Sequence, residues 1–291
     1  MFAVLKTRVV TALLMLLVLY AGTVWTSPFQ FVLFVSIVLL LAVQEWTRLM
    51  GLQGLGKRMG YIVLFFLLMV CTGWLLGVRP GAENLAAPVV IGMTGLSVLF
   101  WLWAFILIRA FPENTHSWSS LPRTAMIGIL VLLPTWVALI QLKYLAPGGY
   151  LVFVAIALVS VADIGAYFTG RAWGRSKLAP SLSPGKSWAG FWGGLIASAI
   201  LAGLLILVLD ANIQAVTIIE ALLLLVLALL VAVFSVVGDL FESMLKRQQG
   251  LKDSGGSLPG HGGVLDRIDS LTAAAPAFVL FLMIIFADVA W

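Results

Sequence analysis

Long uninterrupted apolar runs recur along this chain, and they limit its fold more than any other feature. They occupy residues 9–25, 29–43, 61–76, 89–108, 126–142, 151–168, 191–209, 216–237 and 271 to the end. A helix needs about 20 apolar residues to cross the hydrocarbon core of a bilayer, and runs of this kind are read as spans. They are Leu-rich and do not alternate, which argues against a membrane β-barrel. Only 10 % of the residues are charged and 62 % are hydrophobic, whereas soluble domains carry about 25 % charged residues. The sequence predicts an all-α polytopic integral membrane protein of about nine transmembrane helices. Its first run follows Lys6 and Arg8 in the manner of a signal peptide, but no clean small-x-small site follows and Ser27-Pro28 leads straight into the second run. An uncleaved first span is expected.

Charge orients the bundle. With the runs crossing alternately, every basic residue except Arg79 and Lys143 falls on one side. The positive-inside rule makes that side cytoplasmic, with the N-terminus cytoplasmic and the C-terminus outside. A net charge of +5 would point to nucleic acid in a soluble protein. Here topology and anionic headgroups explain it, and no nucleic-acid partner is expected. Cys71, the sole cysteine, lies in an apolar run, which excludes an intrachain disulfide and thiolate metal clusters. No internal repeat is visible, which disfavours inverted-repeat transporters. The chain divides into an N-terminal transmembrane region, 1–124, of about four spans, and a region 125–291 with two polar cytoplasmic loops, 169–190 and 238–270.

The second of these loops stands out. Within 239–269 lie Asp239, Glu242, Lys246, Arg247, Lys252, Asp253, Asp266, Arg267 and Asp269, together with His261 and six glycines. Helix-end chemistry explains an acid such as Asp269 or Glu242, because carboxylates favour a helix N-terminus and a solvated loop is polar anyway. It does not explain both signs, glycines and a histidine together. Magnesium is held by one or two carboxylates plus substrate phosphates, a role open to Asp239, Asp266 and Asp269, the last two on one face of a helix that starts there. Lys246, Arg247, Lys252 and Arg267 add anion-binding groups. The Gly-His-Gly-Gly run at 260–263, with Gly262 and Gly263, offers backbone N–H groups to a phosphate.

A second constellation precedes it. Asp163 interrupts the sixth apolar run, and an ionisable residue in a span is a functional candidate. Its bland alternative is an acid snorkelling to the interface. Ser183, Lys186 and Ser187 follow in SLSPGKSW. Gly185-Lys186-Ser187 mimics the end of a phosphate-binding loop, but the position five before Gly185 is Pro180 and no strand is expected before it, so the soluble P-loop reading fails. The segment still presents a lysine and two hydroxyls to a triphosphate. Glu220 and His116 read as interfacial residues, and the tryptophans as headgroup belts.

The segment 243–269, SMLKR, four residues, KDSG, two residues, LPGHGGVLDRID, resembles the signature of the phosphatidate cytidylyltransferase (CDP-diglyceride synthase) family without departure. The resemblance extends upstream through 163–190. The family commonly has an acidic or amide residue after the tryptophan, where this chain has Ala189. The resemblance implies transfer of a cytidylyl group from CTP to phosphatidate, giving CDP-diacylglycerol and pyrophosphate. It further implies dependence on Mg²⁺ with a second, monovalent cation such as K⁺, a homodimer, and a bacterial inner (cytoplasmic) membrane. On that reading Asp239, Asp266, Lys246, Arg247 and His261 are the catalytic candidates, with Asp239, Asp266 and Asp269 on the metal. Asp163, Ser183, Lys186, Ser187, Lys252, Asp253, Gly262, Gly263 and Arg267 are the substrate-binding candidates. Two rivals are a CTP-dependent polyprenol kinase, which would release CDP, and a transporter, which would need intramembrane charge central to several spans.

Overall fold

The computed structural model describes residues 2–212 and 215–286. Among them are nine helices long and apolar enough to cross a membrane: α1 (Phe2–Val24), α2 (Pro28–Leu49), α3 (Leu55–Leu76), α4 (Ala87–Arg109), α5 (Leu121–Leu145), α6 (Tyr150–Trp173), α7 (Trp188–Asn212), α8 (Ile218–Gln248) and α9 (Leu265–Ile285). The all-α polytopic expectation holds. The ninth apolar run was expected to reach the C-terminus, and its last five residues lie outside the described residues. A short antiparallel hairpin, β1 (Lys177–Ala179) and β2 (Ser183–Ser187), joins α6 to α7.

Local chemistry sets several helix ends. Ser27 and Gln30 form a reciprocal capping box ahead of Pro28 at the start of α2, satisfying amides that a helix N-terminus leaves orphaned. Thr217 and Glu220 do the same for α8, so Glu220 also caps its helix. The larger difference from hydropathy is the length of α8. It continues beyond 237 to Gln248 because Leu240, Phe241, Met244 and Leu245 recur with helical spacing and are buried, an amphipathic pattern that carries Asp239, Glu242, Ser243 and Lys246 on the remaining face.

The centre of the bundle is α5, buried on nearly all sides from Val131 to Tyr144, with α9 and α8 beside it. Pro276 within α9 cannot donate a hydrogen bond to the Thr272 carbonyl one turn back. The Thr135 hydroxyl of α5 lies 3.1 Å from that oxygen and 2.7 Å from the Val131 carbonyl of its own helix, placing a donor shared between the two helices beside the freed carbonyl. Gly238 of α8 lets the two helices close up, since a Cβ there would come within 2.6 Å of the Asp269 carbonyl. Small residues likewise bring α6 and α7 together along Gly165, Gly193 and Gly194, the usual way for helices to associate in lipid. A Cβ at Gly51 would meet Gln249 and one at Gly260 would meet Arg8, and these close approaches, with a hydrogen bond from Arg247 to the Leu182 carbonyl, gather the polar ends at one pole. Lys143, assigned to the opposite side, is fully buried there and donates to the carbonyls of Thr23 and Pro147.

Candidate active site

At the polar pole a cleft of about 490 Å³ opens between α6, the hairpin, α7 and α8. Its walls bring together five residues singled out from the sequence: Asp163, Ser183, Lys186, Ser187 and Asp239. Arg171 and Tyr167 join them, the guanidinium 3.2 Å from the phenol oxygen. The hairpin explains how 183–187 reaches α8. Pairing of Lys177 with Ser187 and Ala179 with Ser183 folds the segment back, and Lys186 Nζ then lies 2.6 Å from Asp239 Oδ2. Both side chains keep about a quarter of their surface open, 24 % and 28 %, so the pair faces the cleft. Asp163 is within electrostatic reach of both. The rest of the lining includes Ala166, Leu178, Phe191 and Val236, so charged and apolar groups share the cleft wall. Around it Tyr167, Phe168, Trp173, Trp188 and Trp192 stay exposed, as aromatic residues do at headgroup depth.

A buried ionic cluster lies one to two turns further along α8. Lys246 Nζ lies 2.8 Å from Asp266 Oδ1 and 3.2 Å from Glu242 Oε1, with all three side chains at most 12 % exposed. Asp266 also accepts from the amides of Ser254, 3.0 Å, and Gly263, 2.8 Å. Its second bond reaches back from the first turn of α9 to Gly263, the residue before the N-cap Val264. Asp269 is within electrostatic reach of Asp239, Lys186 and Lys246, linking cluster and cleft. Among the described residues Glu242 has no hydrogen-bond donor other than its lysine.

The 249–264 segment between α8 and α9 is built as a set of turns. A tight turn closes at Leu258 and His261, with Leu258 N donating to Gly262 O and His261 N to Leu258 O, each 2.9 Å. Gly262 adopts φ +82°, a left-handed conformation that other residues resist. The amides of His261 and Gly263 are thus already donated within the protein, which narrows the expectation that this run cradles a phosphate. Arg247 braces the loop, donating to the carbonyls of Leu182 and Leu251. Lys252 and Arg267 are exposed. Asp253 lines a different, smaller pocket of about 340 Å³ with Arg48 and Arg58. His261 is not among the residues lining the cleft. It sits at the loop tip, beside Pro259, whose carbonyl accepts from Thr11 of α1.

One participant escaped the sequence reading. Glu45 of α2, 2 % exposed, accepts from Ser257 Oγ at 2.6 Å, Ser254 Oγ at 3.3 Å, Val264 N at 3.1 Å and Leu265 N at 2.8 Å. The sequence shows it only as an acid closing an apolar run, with partners more than 200 residues away.

Magnesium can be tested against this donor set. Among the described residues no three His, Cys, Asp or Glu side chains are arranged to enclose a metal, and the Asp266 oxygens already meet Lys246 and two amides. Asp239 has an oxygen whose closest partner is the Ser243 hydroxyl at 3.4 Å, and Asp269 lies nearby. That set fits an ion that takes one or two carboxylates and completes its shell with phosphate and water.

Comparison with known proteins matches the model of the cytidylyltransferase family over residues 6–285. The chain is 42 % identical to the phosphatidate cytidylyltransferase of Pseudomonas aeruginosa, over 96 % of this chain and 97 % of that protein. It is 36 % identical to that of Haemophilus influenzae, over 95 % and 98 % respectively, and 32 % identical to that of Bacillus subtilis, over 68 % and 81 %.

Proposed function

Because the chain belongs to the cytidylyltransferase family and converts CTP and phosphatidate to CDP-diacylglycerol, we propose that the transfer takes place in the cleft between α6, the hairpin, α7 and α8. The observation that carries this assignment is the Lys186–Asp239 pair, facing a cleft whose wall combines charged and apolar residues. A lipid phosphate with two acyl tails and a water-soluble triphosphate need both kinds of group. The positive-inside rule supports a cytoplasmic location for this pole, the bacterial origin of the relatives supports an inner membrane, and the resemblance supports a homodimer.

The chemistry asks little of a base. A phosphate monoester has its second pKa near ~6, so the attacking lipid oxygen is largely ionised at neutral pH. That oxygen forms a bond to the α-phosphorus of CTP, the bond to the bridging oxygen breaks, and pyrophosphate leaves with the electron pair. Repulsion between two polyanions is the obstacle, and fixed cations together with in-line positioning remove it. Lys186 and Arg171 would hold phosphate oxygens at the cleft, and Ser183 and Ser187 would donate to them. Asp239 orients Lys186, and with Asp269 it would hold Mg²⁺, whereas the Asp266 oxygens are already taken by Lys246 and two amides. Magnesium supplies charge neutralisation at the phosphates when bound. The Lys246–Asp266–Glu242 cluster keeps α8 and α9 in register beneath these groups.

Purified protein given phosphatidate, Mg²⁺ and CTP labelled at the α-phosphorus is expected to move label into lipid with matching pyrophosphate release, and to stop when Mg²⁺ is chelated. Full transfer without divalent metal would reject the metal assignment. Label retained in CDP, with phosphate reaching the lipid only from γ-labelled CTP, would favour the kinase alternative.

A further inference from the structure

We propose that Glu45 is a positioning residue for the transfer reaction, acting from the N-terminal half of the chain through the 254–265 segment. The proposal rests on the cleft being the reaction site. Helices α2 and α8 are capped by side chains of their own first turn, whereas no side chain caps α9 from its N-cap position. Instead the carboxylate of Glu45 takes the amides of Val264 and Leu265, 219 and 220 residues away in sequence. It does so while 2 % exposed, and none of the salt bridges among the described residues includes it. Among the described residues its charge is met by two N–H and two O–H donors.

The surroundings are shaped to this carboxylate. A Cβ at Gly255 or at Gly263 would lie against its oxygens, so both glycines leave room for it. Ser254 is the link to the ionic cluster. Its hydroxyl meets Glu45 Oε2 at 3.3 Å while its amide meets Asp266 Oδ2 at 3.0 Å. A displacement of the segment from Glu45 would therefore move the donors that hold Asp266, and through Lys246 the end of α8 that carries Asp239. The walls of the cleft formed by α6 and α7 receive none of the hydrogen bonds that Glu45 makes. Asp239 is the carboxylate proposed above to hold Mg²⁺ at the triphosphate, so loss of Glu45 should impair use of CTP more than use of phosphatidate.

The test compares Glu45→Gln and Ser257→Ala with the full-length wild type in detergent. Glutamine presents two N–H donors to a site already filled with donors, and hydrogen bonds to a charged acceptor are the strong ones. Glu45→Gln is expected to raise the KM for CTP by about 10- to 100-fold, with the KM for phosphatidate within about twofold. Tryptic cleavage at Lys252 should accelerate at least about tenfold, with cleavage at Lys57 and Arg175 unchanged. Ser257→Ala removes one bond from an exposed loop position without touching α2, and should move the same quantities by about 3- to 10-fold. The double variant should be no worse than Glu45→Gln alone, because both changes remove one interaction. Glu45→Gln with wild-type CTP dependence and wild-type cleavage at Lys252 would overturn the proposal. So would equal losses for both substrates with Ser257→Ala unaffected, which would make Glu45 a stability residue only. Protease cleavage does not depend on turnover, so a failed activity assignment would be seen separately from a failed role for Glu45.

Discussion

Asp239→Asn is expected to lower cytidylyl transfer by about 100- to 1000-fold, the cost typical of removing one preorganised electrostatic group from a site of charge transfer. The substitution keeps the shape of the side chain but removes the charge that holds Lys186 at 2.6 Å. It also neutralises a carboxylate whose other oxygen is only lightly engaged, by the Ser243 hydroxyl at 3.4 Å, and so open to a metal. Lysine is left without its anchor in a cleft that must draw in a triphosphate. The fold should hardly notice, because both partners are about a quarter exposed and pairs open to solvent contribute at most about 1 kcal/mol. Turnover measured with saturating CTP over a range of Mg²⁺, alongside thermal unfolding in the same detergent, separates the two effects. Near-normal turnover at every Mg²⁺ concentration would remove Asp239 from the chemistry.

The second large effect concerns stability. Lys246→Met should cost about 3–5 kcal/mol, because removing one partner from a buried ionic group strands the other charges. Here two carboxylates are stranded, Glu242 and Asp266, whose side chains are 4 % and 6 % exposed. Among the described residues Glu242 has no other donor, so it is the member with no alternative compensation. Adding Glu242→Gln to Lys246→Met should recover part of the loss by removing one stranded charge, while the same change in the wild type leaves Lys246 paired with Asp266. Thermal unfolding followed by tryptophan fluorescence reads all three variants. An unchanged transition for Lys246→Met would mean that the cluster is hydrated and not structural.

How much of this was legible beforehand follows from the range over which each feature is encoded. Spans are local, and hydropathy alone located nine of them because the bilayer asks each helix to be apolar along its own length. The cleft was nearly as legible. Asp163 breaks an apolar run, and the Lys186 segment follows it closely, so both invited attention before any contact was known. The extension of α8 was missed because hydropathy drops at Asp239, although the apolar spacing of Leu240, Phe241, Met244 and Leu245 carried the signal. Glycines of the 260–263 run were assigned to phosphate binding, yet the structure uses the Gly263 amide on Asp266 and gives Gly262 a left-handed turn. Glu45 was beyond reach. Nothing local distinguishes an acid at the end of a span from one that fastens a loop contributed by the other end of the chain.

The central claim is that nucleotide and lipid meet beside Lys186 and Asp239, and a single-cysteine protection experiment tests it most directly. The chain has one cysteine, Cys71, so a Cys71→Ser background can carry Ser183→Cys in the cleft or, as a reference, Gln53→Cys in the smaller pocket beside Arg48 and Arg58. Reaction with a water-soluble thiol reagent should slow by at least about tenfold at the Ser183→Cys position when CTP and Mg²⁺ are added, as expected for a site whose population of open states falls on ligand binding, and should not change at the Gln53→Cys position. Protection at the Gln53→Cys position with none at the Ser183→Cys position would place the nucleotide on the far side of the 249–264 segment and contradict the site described above.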